Sequence, residues 1–163
     1  MNPVIDAELA SFMRRPVMII AATRGSDLRP AIGRCVGIRL SEDRALLDVL
    51  MSRAQWPGLT AGQTAGAAWA VTISNPADYR TFQVKGRLTE VASAGPDDLA
   101  LADSYLSAVT RRLVDLGVQR SQATYWFATE DLVRVRLIPL SVYWQTPGAR
   151  AGAALAPSPA GRA

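Results

Sequence analysis

Hydrophobic and polar positions change period once, close to the start of the chain. Ile5, Leu9, Phe12 and Met13 share one helical face, with Asn2 and Pro3 as N-cap and first-turn pair and Pro16 as the stop. A short amphipathic helix is predicted there. From residue 17 the period is two. Residues 17–23 are rich in β-formers, 24–29 carry Gly and Asp as a turn, and 30–40 form a second strand ended by Ser41-Glu42-Asp43. Residues 44–51 read as a third strand. Pro57, Gly58, Gly62 and Gly66 then break the pattern and leave room for a short helix around 53–61. Residues 67–74 alternate Trp69, Val71 and Ile73 against Ala68, Ala70 and Thr72, a fourth strand.

After the turn Asn75-Pro76-Ala77-Asp78, residues 79–91 form a fifth strand with Phe82, Val84 and Leu88 on one face and Thr81, Gln83, Lys85 and Arg87 on the other. Gly95-Pro96-Asp97-Asp98 opens a long helix whose Leu99, Ala102, Leu106, Val109, Leu113 and Leu116 recur at helical spacing. Its acids stand at the N-terminus, Arg111 and Arg112 near the C-terminus, and Gly117 ends it. An aromatic segment, 124–129, precedes a last strand over 132–144, bent or bulged at Pro139. Residues 146–163 are mostly Ala, Gly and Pro, with two Arg, one Leu, one Thr and one Ser, too little apolar surface to offset ordering, so a domain over 1–145 and a flexible tail over 146–163 are expected. Six consecutive, half-polar strands and two helices predict a mainly β fold: a small six-stranded antiparallel barrel with flanking helices.

Composition sharpens this by exclusion. With 163 residues, 49% hydrophobic and 20% charged, one packed domain is expected and a disordered or coiled-coil chain is not. No apolar run approaches the roughly 18–20 residues of a membrane helix, and the first residues lack a signal-peptide layout, so a cytoplasmic protein without membrane contact is expected. The chain has no histidine. Ser-His-Asp and Cys-His triads, HEXXH zinc sites and His-ligated haem are thereby excluded; in an enzyme something other than imidazole would carry the chemistry, and a bound organic cofactor is the natural candidate. Cys35 is the lone cysteine, with no pairing partner and no evident activating base, and reads as a small buried hydrophobe. Of the net charge of +4, Arg150 and Arg162 lie in the tail. The remaining excess is too weak to imply nucleic acid.

Three stretches carry candidate chemistry. Arg34 has Ile32, Val36, Ile38 and Leu40 as same-parity neighbours, so either it meets a carboxylate or phosphate, or it sits where the strand lets it reach water. Ser52-Arg53 follows a strand and enters a Gly/Pro loop, the setting of a phosphate-holding turn or of a plain helix cap. Tyr79-Arg80-Thr81-Phe82-Gln83-Val84-Lys85-Gly86 presents an outward Gln and Lys with a mid-strand Gly, a ligand-facing or a solvated sheet face.

In this order, together with Pro30, Arg34-Cys35-Val36-Gly37-Ile38-Arg39 and the ending Val142-Tyr143-Trp144-Gln145-Thr146-Pro147-Gly148, these parts resemble the pyridoxamine 5′-phosphate oxidase-like superfamily of FMN-binding split barrels. The resemblance implies an FMN-dependent oxidoreductase, homodimeric, with flavin in a groove between subunits and a small-molecule substrate. By position it nominates Arg34, Arg39, Ser52, Arg53 and Gln83 for the cofactor, with Arg80 and Lys85 beside them. Two departures matter. The family's Ser-Arg-Lys is Ser52-Arg53-Ala54 here, and the Arg-X-His element that serves pyridoxal phosphate is missing. True pyridoxamine phosphate oxidation is therefore not expected. The alternatives are a deazaflavin-dependent reductase and a non-catalytic barrel that binds a flavin or another ligand, or no cofactor at all. A haem-handling barrel would need Tyr, Cys or Met as axial ligand.

Overall fold

In the computed structural model, residues 4–25 and 27–156 are described. Their order is α1 (Ala7–Met13), β1 (Met18–Arg24), β2 (Pro30–Cys35), β3 (Gly37–Leu40), β4 (Leu47–Ser52), α2 (Pro57–Thr60), β5 (Ala68–Ser74), β6 (Thr81–Ser93), α3 (Pro96–Asp115), α4 (Arg120–Tyr125), β7 (Leu132–Trp144) and β8 (Ala154–Ala156). All ladders are antiparallel, in the order β2-β1-β5-β6-β7-β4-β3, with β8 on β7. Each expected strand occurs, but the one expected over 30–40 breaks at Val36, and β8 adds another. The described residues thus hold eight strands, not six.

The break at Val36 shapes the sheet. β2 and β3 stand at opposite ends of the strand order although one residue separates them, so the sheet must curl until its edges meet. At the meeting point Val36 N–H donates to Leu50 O at 2.7 Å. β2 and β3 share no ladder, so the sheet is curled and unclosed, with eight strands among the described residues where a six-stranded split barrel is expected.

Inside the curl lie Ile19, Ala21, Val49, Trp69, Val71, Ile73, Val84 and Leu88, all buried. Helix α1 packs against this interior through Phe12, which meets Phe82 edge-on at 5.0 Å, and Phe82 meets Trp144 at 5.1 Å. Its cap is Asp6, which accepts from Leu9 N–H at 2.8 Å; the Asn2-Pro3 cap expected from sequence lies outside the described residues. The buried stripe of α3 is Asp98, Ala102, Tyr105, Val109 and Leu113. It is rotated from the expected one, because Leu99 and Leu116 are 48% and 45% exposed while a carboxylate and a phenol face inward. The Tyr105 hydroxyl donates to Val17 O at 2.8 Å and fastens α3 beside β1.

Pro139 acts through a bulge. Lys85 pairs with Ser141 but Gly86 pairs with Pro139, leaving Leu140 as the extra residue. Core parity along β7 accordingly changes from Val133, Val135 and Leu137 to Val142. The backbones approach so closely that a Cβ on residue 86 would stand 2.5 Å from Ile138 O, hence Gly86. Within the expected tail, residues 146–156 contact the sheet: Gly152 N–H donates to Trp144 O at 2.7 Å, Arg150 lies 5.1 Å from the Trp144 ring, and β8 pairs with Val142 and Tyr143. Residues 157–163 lie outside the described set.

Candidate functional site

Alternation along the strands sends one set of side chains to the outer face of the sheet. Register lines them up in rows. One row runs Arg34, Ile20, Thr72, Gln83, Tyr143 across β2, β1, β5, β6 and β7. The next runs Ile32, Ala22, Ala70, Lys85, Ser141. Small residues in mid-row leave a shallow floor between Arg34 and Lys85, whose Cα positions are about 16 Å apart by strand spacing and rise. Over the Lys85 side lies an open groove of about 560 Å³, lined among others by Ala22, Ala68, Ala70, Lys85, Arg87 and Tyr143.

Arg34, Gln83 and Lys85 are therefore brought onto one face. The Arg34 guanidinium stands 5.0 Å from the Trp126 ring, and Lys85 Nζ 4.6 Å from the Tyr143 ring. Neither forms an ion pair with a carboxylate among the described residues. Gln83 Nε2 donates to Thr72 Oγ1 at 3.1 Å, which leaves its carbonyl oxygen open. The same-face neighbour Ile32, expected in the core, is 65% exposed, so of the two readings of Arg34 its strand face does reach water.

The other nominated residues are used elsewhere. Arg39 belongs to a cross-strand ladder of alternating charge, Arg39, Asp48, Arg136, Glu90, over β3, β4, β7 and β6. Within it Arg136 grips Asp48 at 2.7 and 2.9 Å, and Arg39 reaches Asp48 at 3.3 Å and Asp98 at 2.7 Å. Burial raises the Asp98 carboxyl, yet the Gly95 N–H, Arg39 and Arg134 outweigh it and hold the group below the usual carboxylate range. Ser52 is buried; its hydroxyl donates to Glu130 O at 2.6 Å and accepts from Gln55 N–H at 3.1 Å. Arg53 forks onto Asp131 at 2.8 and 2.9 Å. Arg80 lies 5.3 Å from the Phe12 ring and 3.6 Å from Glu8. These four residues do not converge with Arg34 on the open face.

A flat anionic cofactor of the flavin type fits this geometry in part. The alanine floor admits a ring, and two cations without carboxylates bracket it. The Ser52-Arg53 turn and Arg39 lie apart from this floor, each with protein partners of its own. Sequence reasoning missed Arg24, Thr72 and Tyr143 on this face; strand alternation marked Arg87, but only register shows that all of them adjoin one floor. Cys35, 0% exposed, has its thiol pushed up to about 12 by burial, opposed by a hydrogen bond from the backbone of Ala21. The group takes no part in the site.

No family model and no curated protein matches this sequence. Among solved structures, an F420 reductase is similar at 17% identity, over 81% of this chain and 93% of that one, with a TM-score of 0.51. HupZ from Group A Streptococcus is similar at 16% identity over 91% and 99%, with a TM-score of 0.49. A pyridoxamine 5′-phosphate oxidase-related, FMN-binding protein from Nostoc punctiforme follows at 16% identity over 83% and 80%, with a TM-score of 0.45. The protein is a mainly antiparallel β-sheet fold with flanking helices. Its fold is that of the F420 reductase structure. No described helix is long and apolar enough to cross a membrane.

Proposed function

We propose that the protein binds a phosphorylated flavin, FMN or a deazaflavin, across the outer sheet face and serves as a flavin-dependent oxidoreductase acting on a small molecule. One observation carries this: Arg34 and Lys85, cations free of carboxylate partners among the described residues, bracket an alanine-floored face that also holds Gln83. A bound flavin would supply the hydride or electron transfer, a step that needs no histidine and so suits this chain. Arg34, held against Trp126, would take the phosphate. Gln83, oriented by Thr72, would offer its carbonyl to a ring N–H, and Ala22 and Ala70 would let the ring lie flat. A second copy of the chain would cover the exposed Ile32 and exclude water from that side.

The deazaflavin version draws on the likeness to a fold-mate named an F420 reductase. A cofactor-free or purely ligand-binding dimer is favoured by a different observation, the internal pairing of Arg39, Ser52 and Arg53. Absorbance and tryptophan-fluorescence titration of the purified protein with FMN and with a deazaflavin decide between them. Saturable binding of either, followed by reduction with a nicotinamide donor, is the expected result. A protein that ignores both cofactors overturns the flavin reading.

A further inference from the structure

We propose that Arg24, Lys85 and Arg87 form a binding site for a di- or triphosphate group at the β1–β5–β6 end of the outer face. The site is separate from the monophosphate assigned to Arg34, and stands whether or not a flavin binds there. Arg87 faces Ala68 across the β5–β6 ladder, and Arg24 lies one residue beyond the Thr23–Trp69 pair on the other side of β5. Arg24 and Arg87 thus flank a single alanine, about 10 Å apart by two strand spacings, and Lys85 lies about 7 Å from Arg87 along β6. All three are exposed, line the same groove and have no ion-pair partner among the described residues.

Nothing in the groove lining is acidic. The nearest carboxylates in sequence are engaged elsewhere: Asp27 accepts from Arg29 N–H at 3.1 Å and stands 3.6 Å from its guanidinium, and Glu90 stands 3.4 Å from Arg134 and 3.9 Å from Arg136. In the β3–β4–β7–β6 ladder, by contrast, clustered arginines are matched by acids: Arg39, Arg134 and Arg136 share Asp48, Asp98 and Glu90. Three clustered cations without such a match repel one another, and a multiply charged anion removes that repulsion. Their spread, wider than one phosphate, suits a chain of two or three.

Two of the three cations are held before any ligand arrives. Arg87 Nη1 donates to Gly66 O at 3.2 Å, and Lys85 Nζ rests against the Tyr143 ring. The loop carrying Gly66 is itself tied down, by Gly66 N–H to Leu88 O at 2.7 Å and by Gln63 Nε2 to Arg24 O at 3.3 Å. Holding the side chains in place lowers the ordering cost of binding.

The test is calorimetric titration of the full chain with inorganic tripolyphosphate, pyrophosphate and orthophosphate, alongside Arg24→Ala, Arg87→Ala and, as a control on the far side of α3, Arg111→Ala. Tripolyphosphate is expected to bind at least about tenfold more tightly than orthophosphate, and each groove substitution to weaken it by about tenfold. Arg111→Ala is expected to change nothing, and all variants to keep the parent melting temperature. A nucleoside diphosphate binding more tightly than pyrophosphate would name a nucleotide as the source, and equal binding a free polyphosphate. Equal affinity for tripolyphosphate and orthophosphate, or equal weakening by Arg111→Ala, overturns the proposal. Loss of flavin binding with tripolyphosphate binding intact would sink the flavin reading alone.

Discussion

Arg39 donates to Asp98 at 2.7 Å, joining the edge strand β3 to the first turn of α3. Asp98 also accepts from Gly95 N–H at 3.1 Å, so one buried carboxylate caps the helix and anchors the arginine. An arginine that sequence position nominates for phosphate has in this contact a structural partner.

That assignment separates stability from binding. Asp98→Asn should destabilise the protein by roughly 2–3 kcal/mol, less than a fully buried pair because Arg39 is over a third exposed. Arg39→Ala should lower the urea midpoint and leave flavin affinity unchanged. An Arg39→Ala protein with parent stability and lost flavin would reverse the assignment.

Acid should find the same contact. The Asp98 carboxyl is held below its ordinary value, so its contribution is complete above about pH 4 and fades as pH falls through the lower, folded-state value. Urea midpoints measured from pH 6 to pH 3 should fall more steeply for the parent than for Asp98→Asn. Parallel curves would remove Asp98 as the cause.

Cys35 should be silent in the native protein. Its thiol is buried and raised to about 12, so the thiolate is scarce and shielded near neutrality. A chromogenic disulfide reagent at pH 8 should label it only in denaturant. Rapid labelling without denaturant would contradict the packing around β2.

Gly86→Ala should cost about 1–3 kcal/mol, because the new methyl meets Ile138 O at the bulge and the backbone must shift. Denaturant unfolding checks this, and a loss under about 0.5 kcal/mol would mean the bulge is soft.

Much of the fold was legible in local patterning. β7 runs over the residues that alternation marked, and Pro139 declared the bulge. The break at Val36 was invisible because the alternation of Ile32, Arg34, Val36, Ile38 and Leu40 with small residues runs through it unbroken, and only the curl of the sheet demands it. Helix α4 escaped notice because Arg120–Tyr125 is short and polar, and β8 because three small residues carry no period. The stripe of α3 was misread by one position, since hydrophobic spacing cannot see an inward Asp98.

The site was less legible for a related reason. Gln83 and Lys85 fall on one face through local alternation, and Arg34 joins them only through register. The partners that occupy Arg39, Ser52 and Arg53 are Asp98, Glu130 and Asp131, remote in sequence and joined only by folding. Register across five strands, which no single segment encodes, distinguishes the committed arginines from the free ones.

The most direct measurement is the FMN or deazaflavin dissociation constant of the parent, Arg34→Ala and Arg53→Ala proteins. Loss of one charge-assisted phosphate contact should weaken binding by about ten- to a hundred-fold in Arg34→Ala, while Arg53→Ala, whose guanidinium already belongs to Asp131, should bind as the parent does. Unchanged affinity in Arg34→Ala, or a loss confined to Arg53→Ala, would place the cofactor elsewhere and contradict the account.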